Sequence, residues 1–259
     1  MENSKSKILL IVEGEKIEPR ILGSESHGLL SLIGTDYEIV PFANPIYELY
    51  EAYKDDQYDN LVSYLRQEKG LKIDDSVLSK NAFSAIYLIF DFEPQDHKYS
   101  DEKIKDLLST FNNETELGKL YINYPMVEAY YHLESLPDPN YNTRTISLKG
   151  LNGKKYKKIV HESTKLKLNK ITNRDLCYII MHNYNKSKYI TNTVSENIPY
   201  DKVLDVQIDM KNEKNEIYVL STFPLFIMDY NYDKTMEVLK LKLKENYLYI
   251  DEELTNRET

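Results

Sequence analysis

Acidic residues stand where two apolar runs stop. Ile8-Leu9-Leu10-Ile11-Val12 ends at Glu13-Gly14-Glu15, and Ile86-Tyr87-Leu88-Ile89-Phe90 ends at Asp91-Phe92-Glu93. Carboxylates gathered in one place repel one another until a cation or protons neutralise them. Glu13, Asp91 and Glu93 would offer hard oxygen ligands of the kind that suit Mg²⁺ or Mn²⁺. Such an ion activates water and stabilises charge on a phosphate as its ester bond breaks. Lys16, two residues after Gly14, adds an ammonium able to hold a phosphate oxygen or offset transition-state charge. Asp96 is a candidate outer ligand, and Glu18 a simple helix N-terminal charge. Each of these residues also has a plain reading as a solvated loop group.

For the three acids to meet, the runs that carry them must be neighbours. Continuous apolar runs of about five residues bounded by polar breaks read as strands buried on both faces, as in a parallel sheet. In open α/β sheets ligands bind beyond the carboxyl ends of the strands. A regular continuation of the second strand puts Asp91 and Glu93, at i and i+2, on one face. Gly14 lets the backbone turn tightly beneath the carboxylates. Tyr37–Phe42 alternates and reads as another strand, and Gly118–Asn123 as a fourth. Between them, Glu15–Ile33 reads as a loop and an irregular helix with Pro19 in its early turn. Ile46 to Glu68 reads as a long helix with a stripe of Tyr50, Tyr53, Leu61, Tyr64 and Leu65, stopping near Gly70. Leu71 to Asn81 reads as a polar connector. Asp101–Phe111 reads as a helix capped by Ser100, and Pro125–Leu133 as a helix start. Strands alternating with helices over this stretch predict a doubly wound, Rossmann-like parallel sheet.

IVEGEKIEP (Ile11 to Pro19) and the strand ending in Asp91-Phe92-Glu93 resemble the signature of the TOPRIM domain, a strand ending in Glu-Gly followed by one ending in Asp-x-Asp. The first motif resembles the opening of the RloB-like and PARIS-type or abortive-infection proteins of phage defence, relatives of the OLD-type nucleases. NYPMVEAYYHL (Asn123 to Leu133) resembles a later segment of the same group. The resemblance covers about the first half of the chain and departs at Glu93, where the pattern has Asp; Glu reaches the same ion with a longer arm. It implies a TOPRIM sheet over residues 1–140, a metal site on Glu13, Asp91 and Glu93, and a contribution from Glu128. It also implies a defence effector, unleashed by a partner ATPase of the ABC or OLD kind.

Composition sets bounds. The chain has 259 residues, 41% of them hydrophobic and 29% charged, as in a globular protein with ample length for a core. No apolar run approaches the ~20 residues of a membrane span, and MENSKSK has no secretory pattern, so a cytoplasmic protein with no membrane partner is expected. The single Cys177 excludes an internal disulfide framework and reads as core. The abundance of Lys, Asn, Ile and Tyr without Trp reflects an AT-rich genome, so the 23 tyrosines are no argument for base stacking. No P-loop motif is present. The net charge of −9 argues against a protein that coats DNA, but charge is unevenly spread: from Lys149 to Lys170 eight lysines face one acid, giving +7 and leaving −16 elsewhere. Lys149, Lys154, Lys155, Lys157 and Lys158 form the dense part of a candidate nucleic-acid track, or else a solvated face.

After Tyr141 the pattern changes, and residues 141–259 read as an α-rich C-terminal region. Thr172–Tyr189 reads as a helix and Asp233–Asn246 as a closing one. Lys202–Met210, Glu216–Leu220 and Phe223–Met228 are apolar patches, the first two compatible with strand or helix. Glu128 and His132, four apart, share one face if their segment is an α-helix. Three functions are compatible with this reading. The first is a metal-dependent nuclease acting on DNA or RNA, transfer RNA included, with homo-oligomerisation open. The second is a TOPRIM module with a degenerate metal site that only binds nucleic acid or a partner. The third is an α/β phosphatase or response-regulator-like domain.

Overall fold

Ile8–Val12 forms β1, and every one of its side chains is sealed from solvent. The computed structural model describes residues 7–23, 28–32, 34–54, 83–152 and 154–243. β1 lies between β2 (Tyr37–Pro41) and β3 (Ala85–Asp91), parallel to both. On the other side of β3 runs β5 (Gly118–Asn123), also parallel, and the two-residue β4 (Asn112–Asn113) closes that edge antiparallel. The order β2-β1-β3-β5-β4 makes a mostly parallel sheet of five strands in an α/β fold. Burial follows sequence: the unbroken apolar runs β1 and β3 lie inside, and the alternating β2 lies at an edge, where only Val40 is fully buried.

The connecting helices are α1 (Ile17–Gly23), α2 (Ile46–Lys54) and α3 (Asp101–Thr110). Ser100 caps α3 by accepting from the Lys103 N–H at 3.1 Å, as the sequence predicts. The expected continuation of α2 to Glu68 and the connector 71–81 lie outside the described residues.

The segment after β5 differs from expectation. Val127–Tyr131 is a five-residue 3₁₀ helix, not the start of an α-helix. At three residues per turn, Glu128 and His132 do not share a face. His132 ends that turn with its Nδ1 3.1 Å from the Tyr156 hydroxyl, inside the core.

Beyond residue 141 come β6 (Thr145–Ser147), α4 (Lys155–Ser163), α5 (Asn173–Thr191), α6 (Tyr200–Lys214), β7 (Glu216–Tyr218), α7 (Phe223–Tyr230) and α8 (Tyr232–Lys242). Thr172 and Asp175 form a reciprocal capping box at the start of α5. The ambiguous patches resolve by their neighbours. Glu216–Tyr218 finds a ladder partner in β6 and becomes strand, whereas Lys202–Met210 and Phe223–Met228 lie within α6 and α7. One hydrophobic core runs from the sheet into these helices, and Tyr124 and Leu220 exchange backbone hydrogen bonds at 2.8 Å across the junction. α5 is buried nearly all round. Its Lys186, with no exposed surface, donates to the Tyr141 and Arg144 carbonyls at 2.7 Å each. Among the described residues no helix is long and apolar enough to cross a membrane.

Gly118 opens β5 at φ +114°, and a Cβ there would meet Leu88 Cδ1 at 2.5 Å. Backbone strain and overpacking then act together, so Gly118→Ala is expected to cost about 2 to 4 kcal/mol. Urea unfolding at unchanged m-value checks this; a loss below about 0.5 kcal/mol would contradict the packing described.

Candidate functional site

Register places the acids. Val12 pairs with Ile89, so the chain leaves β1 beside the end of β3. The Glu13 N–H donates to the Ile89 carbonyl at 3.2 Å, and Glu13 Oε2 accepts from the Asp91 N–H at 3.1 Å. Asp91, the last residue of β3, is 6% exposed. Its Oδ2 accepts from the Val127 N–H at 3.0 Å and its Oδ1 from Asn123 Nδ2 at 3.3 Å.

Glu93 arrives by a different route from the one expected. The strand stops at Asp91, and Glu93 takes a left-handed conformation at φ 35°. Phe92 anchors this turn: its ring is buried 5.3 Å from Tyr99 and 5.1 Å from Tyr124 by centroid, and its carbonyl accepts from the Tyr47 hydroxyl. The Glu93 N–H then donates to the Pro125 carbonyl at 3.2 Å. Glu13, Asp91 and Glu93 each offer an oxygen within 4.8 Å of the others, and form the one such group among the described residues. A set of three oxygen donors, partly buried and open on one side, fits a hard divalent cation.

The group lines a cleft of about 790 Å³ shared with Lys16, Glu18, Gln95, Glu128, Lys154 and Lys157. Glu18 is more than a helix-end charge. It is 5% exposed, and its Oε1 accepts from the Gly14 N–H at 3.0 Å. A Cβ on Gly14 would lie 2.6 Å from Glu18 Oε2, so the glycine is required for this close approach. Glu128 is 1% exposed, with Oε1 3.2 Å from Lys157 Nζ. Asn123, also missed, is fully buried. Besides holding Asp91, its Oδ1 accepts from the Ser221 hydroxyl (3.3 Å) and from the Thr222 N–H (3.0 Å) and hydroxyl (3.2 Å). The signal for it was a polar side chain closing an otherwise apolar strand.

The other predicted residues are placed as follows. Lys16 is exposed on the cleft wall. Lys154 and Lys157 line the cleft, while Lys149, Lys155 and Lys158 are exposed outside it, Lys158 3.8 Å from Glu162. Asp96 accepts from the Lys98 N–H at 2.7 Å and stands outside the group of three. Cys177 is buried, and burial pushes its thiol up to about 11.

Electrostatics reflect confined like charge. Burial first, then Glu93, pushes Glu13 up to about 8 from its ordinary 4.5. Burial followed by Glu13 holds Asp91 well above its ordinary value. Burial also raises Glu93, with Asp96 adding to it, and Glu18, which the Gly14 N–H partly relieves. Partial burial works to lower Lys157, but Glu128, Asp91 and Glu18 outweigh it and the ammonium is raised.

The chain matches no family model, no curated protein and no solved structure.

A carboxyl with a raised folded pKa contributes stability that is complete below its unfolded pKa and lost as pH rises through the folded one. For Glu13 that window runs from 4.5 to about 8, and Asp91, Glu93 and Glu18 shift in the same direction. In chelator the thermal midpoint is therefore expected to fall across this window. Glu13→Gln should flatten the fall, and Mn²⁺ at the upper end should restore the wild-type midpoint. A midpoint that holds level in chelator and ignores Mn²⁺ would contradict a confined carboxylate centre.

Proposed function

We propose that the protein is a metal-dependent nuclease that hydrolyses phosphodiester bonds at the carboxyl edge of a TOPRIM-type sheet. The observation that carries this reading is the convergence of Glu13, Asp91 and Glu93 in a cleft whose wall also presents Lys16, Lys154 and Lys157. These three carboxylates would hold Mg²⁺ or Mn²⁺, which when bound supplies Lewis acidity to a phosphate oxygen. The protein's own groups do the rest. Asp91 is oriented by Asn123 and Val127. Glu13, beside the Asp91 N–H, would take a proton from the attacking water as the water oxygen bonds to phosphorus. The bond from phosphorus to the leaving oxygen breaks, and that oxygen is protonated from solvent. Lys16, on the cleft wall, would offset charge building on the phosphate oxygens.

The substrate is a nucleic acid, approached along the exposed lysines Lys149, Lys154, Lys155 and Lys158. The resemblance of the Ile11–Pro19 and Asn123–Leu133 segments to phage-defence proteins favours an effector role under a partner ATPase of the ABC or OLD kind, with DNA and RNA, transfer RNA included, as substrate classes. Glu93, standing where the TOPRIM pattern has Asp, favours a second reading, a TOPRIM module with a degenerate metal site that binds without cutting.

Plasmid, single-stranded DNA and total transfer RNA incubated with Mn²⁺ or Mg²⁺ separate the two. Metal-dependent cleavage of one class is expected, with Glu13→Ala and Asp91→Ala each losing about 10² to 10⁴ in rate. Cleavage that persists in Glu13→Ala would sink the assignment; tight binding without cleavage by the metal-loaded chain would favour the module. Lys154→Ala should lower the slope of log affinity against log salt by about 1 and weaken all sequences alike, as a phosphate contact does.

A further inference from the structure

The cleft floor carries two buried carboxylates that the group of three does not use, Glu18 and Glu128. Their oxygens are unequally served. Glu18 Oε1 takes the Gly14 N–H. Glu128 Oε1 takes Lys157 Nζ, while Glu128 Oε2, sealed from solvent, accepts no hydrogen bond from any described residue. A buried carboxylate left half-served is costly unless positive charge lies against it. Two cations could meet that need: a second divalent ion bridging to the centre, or the ammonium already in contact.

Geometry favours the ammonium. Glu18 and Glu128 do not join a three-ligand group, and each has an oxygen committed elsewhere. Lys157 comes from α4, which Tyr156 and Val160 fasten to the core, so the root of the side chain is fixed while its arm, 55% exposed, crosses the cleft. Lysine suits this place as a compact point charge on a flexible stem.

We propose that Lys157 is the tethered cation of this centre: its ammonium serves Glu128, so that the cleft takes one divalent ion, on Glu13, Asp91 and Glu93, and not two. This rests on the reading of those three residues as a metal centre. It sets Lys157 apart from the lysines of the approach track and makes it a positioning residue for Glu128.

The test counts ions on the full-length chain by calorimetric titration with Mn²⁺ alone, and measures thermal midpoints in chelator. Wild type is expected to bind one Mn²⁺. Lys157→Met should lower the chelator midpoint, because Glu128 loses its counter-charge, and should bind a second Mn²⁺. Lys157→Met with Glu128→Gln should return both the count to one and the midpoint toward wild type, and Lys157→Arg, which keeps the charge and guards against a folding defect, should count one. Two ions on wild type or on Lys157→Arg would overturn the proposal while leaving the metal centre standing. An unchanged count in Lys157→Met would overturn it equally. No ion on wild type would remove the metal centre itself, and this inference with it.

Discussion

The parallel pairing of β1 with β3 is the constraint on which the site depends. Val12 opposite Ile89 delivers Glu13 and Asp91 side by side at one edge of the sheet. Because side chains alternate, a slip of one residue would send one acid to the opposite face and bury it among apolar groups. The register is held by the burial of every side chain in β1 and of most in β3, each worth roughly 1.5 to 3 kcal/mol when fully buried. Core packing thus confines negative charge that would otherwise disperse, and the raised carboxyls measure the cost.

That confinement is made tolerable by groups from distant parts of the chain. Asn123 gives its amide N–H to Asp91 and fills its carbonyl with donors from Ser221 and Thr222, so the orientation of a residue on β3 depends on the turn before α7. Ser221 in turn donates its N–H to Asn183 on α5 at 2.7 Å, and Tyr141 donates to the same oxygen at 2.8 Å. A buried polar chain of this kind is stable only when its members are paired, which ties the helices after residue 141 to the carboxylate edge of the sheet. The Tyr124–Leu220 backbone pair reinforces the same seam.

Charge is arranged on two scales. The body of the chain is acidic, yet Lys154 and Lys157 line the cleft that holds the carboxylates. Within the cleft, Lys157 reaches inward to Glu128 while Lys155 and Lys158, on the same helix, do not line it. One turn of helix therefore divides a run of lysines, uniform in sequence, into different environments.

Sequence by itself determined the strands β1, β3 and β5, their buried parallel character and the acids that end two of them, because unbroken apolar runs and abrupt polar stops are local signals. It determined the cap Ser100 for the same reason. Three features were decided only by tertiary structure. Glu93 reaches the group through a left-handed turn pinned by the buried Phe92 ring, and not by strand alternation. Val127–Tyr131 winds as 3₁₀ helix, separating Glu128 from His132, although its spacing suits an α-helix. Glu18 and Asn123 join the site because Gly14 admits a carboxylate at close range and because residues 221–222 fold back from the far end of the chain. Spacing can report which residues share a local element, but contacts between residues a hundred positions apart arise from packing, which no local pattern encodes.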